Sequence, residues 1–127
     1  MTPDGLITGT WKNDNKTIRF NLPLILFEEE GAQIVYCPAL DVSGYGDDEN
    51  QAIDSFQVCL GEFLLYTVHK KTFHSELQRL GWKLKKSGRK PMVPPDMVRL
   101  LDNNDNFSRI FNNFPFRKID RPIELPV

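Results

Sequence analysis

A chain of 127 residues, 40% hydrophobic and 26% charged, has room for one packed domain and a short extra piece, and its composition is not that of a disordered chain. No apolar run is long enough to span a bilayer, and the formal net charge of -1 selects no partner by itself. The two cysteines, Cys37 and Cys59, lack metal-ligand spacing, which argues against a disulfide framework and for a reducing, cytoplasmic compartment.

The N-terminus, Met1–Gly5, shows no basic segment followed by an apolar run, so no signal peptide is expected. Leu6–Thr10 reads as a short strand, joined by a turn at Lys12–Lys16 to the next. Ile18, Phe20 and Leu22 alternate with Arg19 and Asn21, the period of a half-buried strand. Pro23 removes a backbone donor and predicts a bulge or an edge position. Leu24–Phe27 continues as a more fully buried strand, and Glu28–Gly31 makes the turn, with Gly31 free to take positive φ. Gln33–Cys37 is the second strand of a hairpin, stopped by Pro38, and a third short strand falls near Asp41–Tyr45.

Asp47 or Asp48 suits a helix N-cap, and Glu49 favours the positive end of the helix dipole. Ala52, Ile53, Phe56, Cys59, Leu60, Phe63 and Leu64 then recur at three- and four-residue spacing, the mark of a long amphipathic helix lying on a sheet. Gly61, inside that helix, implies close packing. A second helical piece over Phe73–Leu80 stops at Gly81. Trp82–Lys86 alternates apolar and basic residues and reads as an edge strand with its lysines outward.

Ser87–Pro91 marks a boundary, giving a first domain at 1–87 and a C-terminal extension at 88–127. Pro94-Pro95-Asp96 opens a short helix to about Asp102. Asn103–Asn113 holds another, with Phe107, Ile110, Phe111 and Phe114 on one face, and Phe116–Leu125 is a final strand interrupted by Pro122. The extension is too small to bury a core alone, so it should pack on the first module or on a second subunit. The fold class expected is α+β: a small antiparallel sheet in the order β-β-β-α-β under one long amphipathic helix, followed by helix, helix and strand.

Chemistry-bearing constellations are sparse. His69 and His74 have no cysteine or carboxylate pair nearby, whereas a zinc site needs three or four converging ligands. Ser43 and Ser55 have no evident base, and Gly44-Tyr45-Gly46 is too short and too acidic in its surroundings to cradle a phosphate. No catalytic residue, metal or cofactor is therefore expected, and binding is the expected mode of action.

Charge is unevenly distributed. Glu28 to Glu62 contains nine acidic residues and no Lys or Arg, whereas Lys70 to Lys90 contains eight basic residues and one acidic, Glu76. Such asymmetry can steer partners. The acidic stretch nominates Glu28, Glu29, Glu30, Asp41, Tyr45, Asp47, Asp48 and Glu49 as a protein-contact neighbourhood. The basic run Lys83, Lys85, Lys86, Arg89 and Lys90, with Trp82 beside it, has the residue types that hold a nucleic-acid backbone and stack on a base; protection of an edge strand by lysine is its plainer reading. An exposed edge and an aromatic tail also predict a homodimer or larger assembly.

Gly31 at the hairpin turn, Val35-Tyr36-Cys37-Pro38 ending a strand, Ala39-Leu40 leading to Gly46-Asp47, and Gln51-Ala52 opening the helix together resemble the HicB-like antitoxin family. The resemblance runs over about residues 18–86, including Gly81-Trp82; Gln51 stands where the family commonly has glutamate. It implies a partly RNase-H-like or dsRBD-like fold and a non-enzymatic antitoxin that neutralises a small basic mRNA-cleaving toxin of the HicA kind. Many family members also carry a C-terminal DNA-binding motif. Residues 91–127 instead read as helix, helix, strand, without a recognition helix rich in Arg, Lys, Asn or Gln. The alternative implied is an orphan HicB-like nucleic-acid-binding or transcriptional regulator without a toxin partner.

Overall fold

The computed structural model describes residues 17–85 and 92–126. The strand expected at Leu6–Thr10, the boundary at Ser87–Pro91, and Lys86, Arg89 and Lys90 lie outside the described residues. In chain order the elements are β1 (Thr17–Glu29), β2 (Ala32–Cys37), β3 (Val42–Gly46), α1 (Glu49–His69), α2 (Phe73–Arg79), β4 (Lys83–Leu84), β5 (Met92–Val93), α3 (Met97–Asn103), α4 (Asp105–Asn113) and β6 (Phe116–Pro126). The protein is α+β, with a four-stranded antiparallel sheet ordered β3-β2-β1-β6 and a two-stranded sheet of β4 and β5.

The apolar run Leu24-Ile25-Leu26-Phe27 explains the layering. Successive strand residues point to opposite faces, and both faces of this stretch are covered. Leu22, Leu24 and Leu26 pack with Ala52, Phe56, Leu60 and Leu64 of α1 and with Phe73 and Leu77 of α2. Ile25 and Phe27, with Tyr36 of β2, pack with Leu100 of α3 and Phe107 and Ile110 of α4. The sheet is thus sandwiched between α1–α2 and α3–α4, and the C-terminal helices are part of the same body.

Glu30 and Gly31, both at positive φ (52° and 82°), form the two-residue turn between β1 and β2. Positive φ at both central residues matches the twist of a tight hairpin. The β1–β2 ladder then runs from Glu29↔Ala32 to Ile25↔Tyr36. Two places further on, the same register sets Pro23 opposite Pro38. Neither has an N–H to donate, so the ladder ends there. Beyond that point β1 is paired, among the described residues, on its β6 side alone, which meets the edge position expected for Pro23.

The fourth sheet position is taken by β6, a correction to the closing strand expected at Trp82–Lys86. β6 lies in register with β1 from Thr17↔Pro126 to Phe27↔Phe116, and Pro122 does not break it. Proline is tolerated there because β6 is an edge strand, with no ladder partner on its outer side among the described residues. The Trp82 segment cannot compete, because its indole is drawn into the core at 3% exposure. That leaves only Lys83 and Leu84 as strand, paired with Val93 and Met92. Lys83 and Lys85 do point to solvent, as the alternation predicted.

α1 is brought onto β3 by glycine. A Cβ at Gly44 would overlap the backbone nitrogen of Phe56, and one at Gly46 would collide with Gln51 and Ala52. Helix and edge strand are therefore in near-backbone contact. The Tyr45 N–H, turned away from the ladder, donates to the Ser55 hydroxyl of α1 at 3.2 Å. Asp48 is the N-cap, accepting from the Gln51 N–H at 2.8 Å, while the Gln51 side chain accepts from the Asp47 N–H at 2.9 Å. This reciprocal pair is a capping-box variant, which a glutamine supports as well as a glutamate.

Gly44→Ala should destabilise the fold by about 3 kcal/mol, since the overlapping atoms are backbone on both sides and cannot rotate away. Urea denaturation measures it; an unchanged midpoint would show that α1 can lift off β3 at little cost.

Candidate functional site

The register gathers most of the predicted contact residues at one end of the sheet. Glu28 pairs with Gln33, Gln33 with Gly46, and Phe27 with Phe116, so the β1–β2 turn, the β3–α1 junction and the start of β6 share that end. Glu28, Glu29, Glu30, Asp47, Asp48 and Glu49 all lie there. Tyr45, one residue before Gly46, is 72% exposed on the edge strand.

Their carboxylates are not equally available. Glu29 accepts from Arg109 of α4 at 3.3 Å, and Glu49 pairs with Arg117 of β6. Asp48 is occupied in capping α1, and Glu28 accepts weakly from the Gln33 amide at 3.4 Å. Among the described residues no cation pairs with Glu28, Glu30 or Asp47. Exposed ion pairs contribute little to stability, so Arg109 and Arg117 chiefly thin the negative field on one flank. Nothing local signals these pairs, because they join positions 80 and 68 residues apart.

Asp41 lies at the opposite end, in the turn that links β2 to β3, and the structure separates it from the other carboxylates. Its φ is +54°, a left-handed conformation that Asp tolerates better than most residues. The chain closes here through the Leu40 and Asp41 N–H groups, which donate to the Cys37 carbonyl at 3.3 and 2.8 Å. Pro38, Ala39 and Leu40 are all buried. A buried turn leaves carbonyls that need partners. The Trp82 indole N–H donates to the Ala39 carbonyl at 2.7 Å, and the Asn104 amide donates to the Pro38 carbonyl at 3.3 Å.

The same Asn104 amide donates to the Tyr36 hydroxyl at 2.8 Å, and that hydroxyl donates to Asp41 at 2.6 Å. The Asn104 side-chain oxygen caps α4 by accepting from the Phe107 N–H at 3.0 Å. Burial, and then the bond to Asp41, push the Tyr36 phenol far above its ordinary 10.0. Burial likewise pushes the Cys37 thiol from 9.0 up to about 12. Asn104 was the least foreseeable of these residues. Its only sequence signal is that Asn precedes Asp105 at a helix start, and that signal identifies a cap and not a bond to β2.

Beside this turn is a cavity of about 370 Å³, lined by Asp41, Arg79, Arg99, Asn103, Asn104 and Asp105 among others. Arg79 also pairs with Glu76, a bond that holds the Glu76 carboxyl below its ordinary range. The cavity thus offers donors and acceptors of both signs.

The proposed nucleic-acid set divides differently. Trp82 is not available for base stacking: it is buried, bonded to Ala39, and met edge-on by Phe20 at 5.2 Å. Lys83 and Lys85 are exposed. Among the described residues no three or more His, Cys, Asp or Glu side chains are grouped to hold a metal ion, and no helix is long and apolar enough to cross a membrane. Comparison with protein-family models, curated proteins and solved structures returned no match.

Asn104→Ala should cost about 2–3 kcal/mol, combining a lost helix cap with unsatisfied partners at Tyr36 and Pro38. Thermal melting measures it, and a loss below about 1 kcal/mol, no more than a cap alone commonly gives, would mean that the turn is not held from this side.

Thiol labelling should modify the half-buried Cys59 in the native protein and reach Cys37 only on unfolding. Because the native Cys37 thiol and Tyr36 phenol both keep their protons more tightly than in the unfolded chain, their contribution to stability should be level below pH 9 and fall as pH rises towards 12. Equal labelling of both thiols, or stability that stays level to pH 11, would contradict the burial.

Proposed function

We propose that this chain is a non-enzymatic protein inhibitor of the HicB-like antitoxin kind, acting in the cytoplasm on a small basic toxin of the HicA kind. The observation that carries the reading is the acidic end of the sheet. Residues from three segments meet there, and Glu28, Glu30 and Asp47 face solvent with no cation partner among the described residues. The motif elements on which the resemblance rests agree with it: Gly31 makes the hairpin turn, Pro38 stops the ladder, Gly46-Asp47 leads into the helix, and Gln51 closes the helix cap.

Such a surface acts first on association. A negative patch raises the encounter rate with a basic partner and leaves the dissociation rate to the buried contacts. The tagged chain purified from its native cells should retain a stoichiometric small basic protein, and adding the chain to that protein should suppress RNA cleavage. Recovery alone, or with nucleic acid that a high-salt wash strips off, would replace this reading by an orphan regulator working through Lys83 and Lys85.

Reversing Glu28, Glu30 and Asp47 together to lysine should slow association at low salt by about tenfold and change dissociation little. Stopped-flow or biolayer measurements separate the two rates. An unchanged association rate at low salt would remove the electrostatic account.

A further inference from the structure

We propose that the outer face of α1, centred on Val58, Leu65 and Tyr66, is the surface on which a basic protein partner docks. This rests on the reading above and adds where the partner is held. A helix lying on a sheet buries one stripe and ordinarily turns a polar face to water. The inner stripe of α1 behaves as expected, with Ala52, Phe56, Leu60 and Leu64 at 0–1% exposure. The outer face does not. Val58 is 61% exposed, Leu65 45% and Tyr66 65%, and these are three of the six large hydrophobic side chains exposed in the described residues.

Their spacing makes one surface. Leu65 follows Val58 by seven residues, two turns on, and Tyr66 follows by eight, so the three lie within one helical face. Glu62 sits between them and Asp54 lies one turn before Val58, both exposed. Exposed apolar side chains with a carboxylate among them suit a protein contact that brings both apolar groups and a cation, and tyrosine is enriched at the anchoring positions of such contacts.

Charge selects the occupant. The outer face of α1 carries Asp54 and Glu62, both exposed, and the helix holds no Lys or Arg over its 21 residues. A second copy laid along this face would bring carboxylates against carboxylates, which disfavours self-association. A partner with apolar side chains rimmed by lysine or arginine meets both features. The face is also pre-organised: the contact of α1 with Gly44 fixes the helix on the sheet, so little order has to be gained on binding.

The probe is the small basic protein recovered with the chain from its native cells, purified and titrated against wild type and against Leu65→Lys/Tyr66→Lys. The expected result is a Kd raised at least tenfold, carried mainly by faster dissociation, with the melting temperature unchanged. Reversal of Glu28, Glu30 and Asp47 should instead act on association. Unaltered affinity and dissociation in the double variant would overturn the docking face and leave the antitoxin reading standing. Recovery of no such protein would overturn both. Should the double variant melt early, Tyr66→Ala, at the most exposed of the three positions, takes its place: faster dissociation supports the docking face and an unchanged rate overturns it.

Discussion

The fold depends on how the buried turn from Cys37 to Asp41 is satisfied. The Pro38 and Ala39 carbonyls are shut away from water, and each needs a donor brought from elsewhere. Trp82 supplies one from the α1–α2 side of the sheet and Asn104 another from the α3–α4 side. Two layers on opposite faces of the sheet are thereby tied to the same few atoms. The turn in turn sets where β3 begins, and β3 sets where α1 lies. A loop that would ordinarily sit on the surface has become the point at which the three layers meet.

The acidic end of the molecule follows from that arrangement by register alone. Once the ladders are fixed, the hairpin turn, the helix cap and the start of β6 have no freedom to be anywhere else. The carboxylates there divide between structural use, as in the Asp48 cap and the Arg109 and Arg117 pairs, and exposure to solvent. Steering by charge and holding by an apolar helix face are separable roles, and the chain places them on different elements.

Local patterns in the sequence reported local structure well. The hairpin at Gly31, the Asp48 cap, the inner stripe of α1, the stop at Gly81 and the two helices after Pro95 all depend on residues within a turn or two of each other. The strand that completes the sheet was harder to see. Trp82–Lys86 has the better alternation, and nothing local says that its tryptophan is committed to Ala39, 43 residues away. Phe116–Pro126 has the poorer pattern because its two ends face different surroundings and its middle is an exposed edge. Among candidate contact residues, position in sequence could not separate Asp41 from the rest, nor reveal that Trp82 is core. Both facts follow from long-range pairing.

Open sheets carry a hazard that this chain handles differently at each border. β6 carries Arg117, Lys118, Asp120 and Pro122, residues of the kinds that obstruct a further strand. β3, Val42-Ser43-Gly44-Tyr45-Gly46, has no charge and no proline, and α1 demands glycine at two of its five positions. Its outward Tyr45 N–H is instead already spent on Ser55. The close seating of α1 therefore also blunts this border: the helix that forces glycine onto it reaches over and occupies one of the outward donors that a neighbouring strand would use to stack on it.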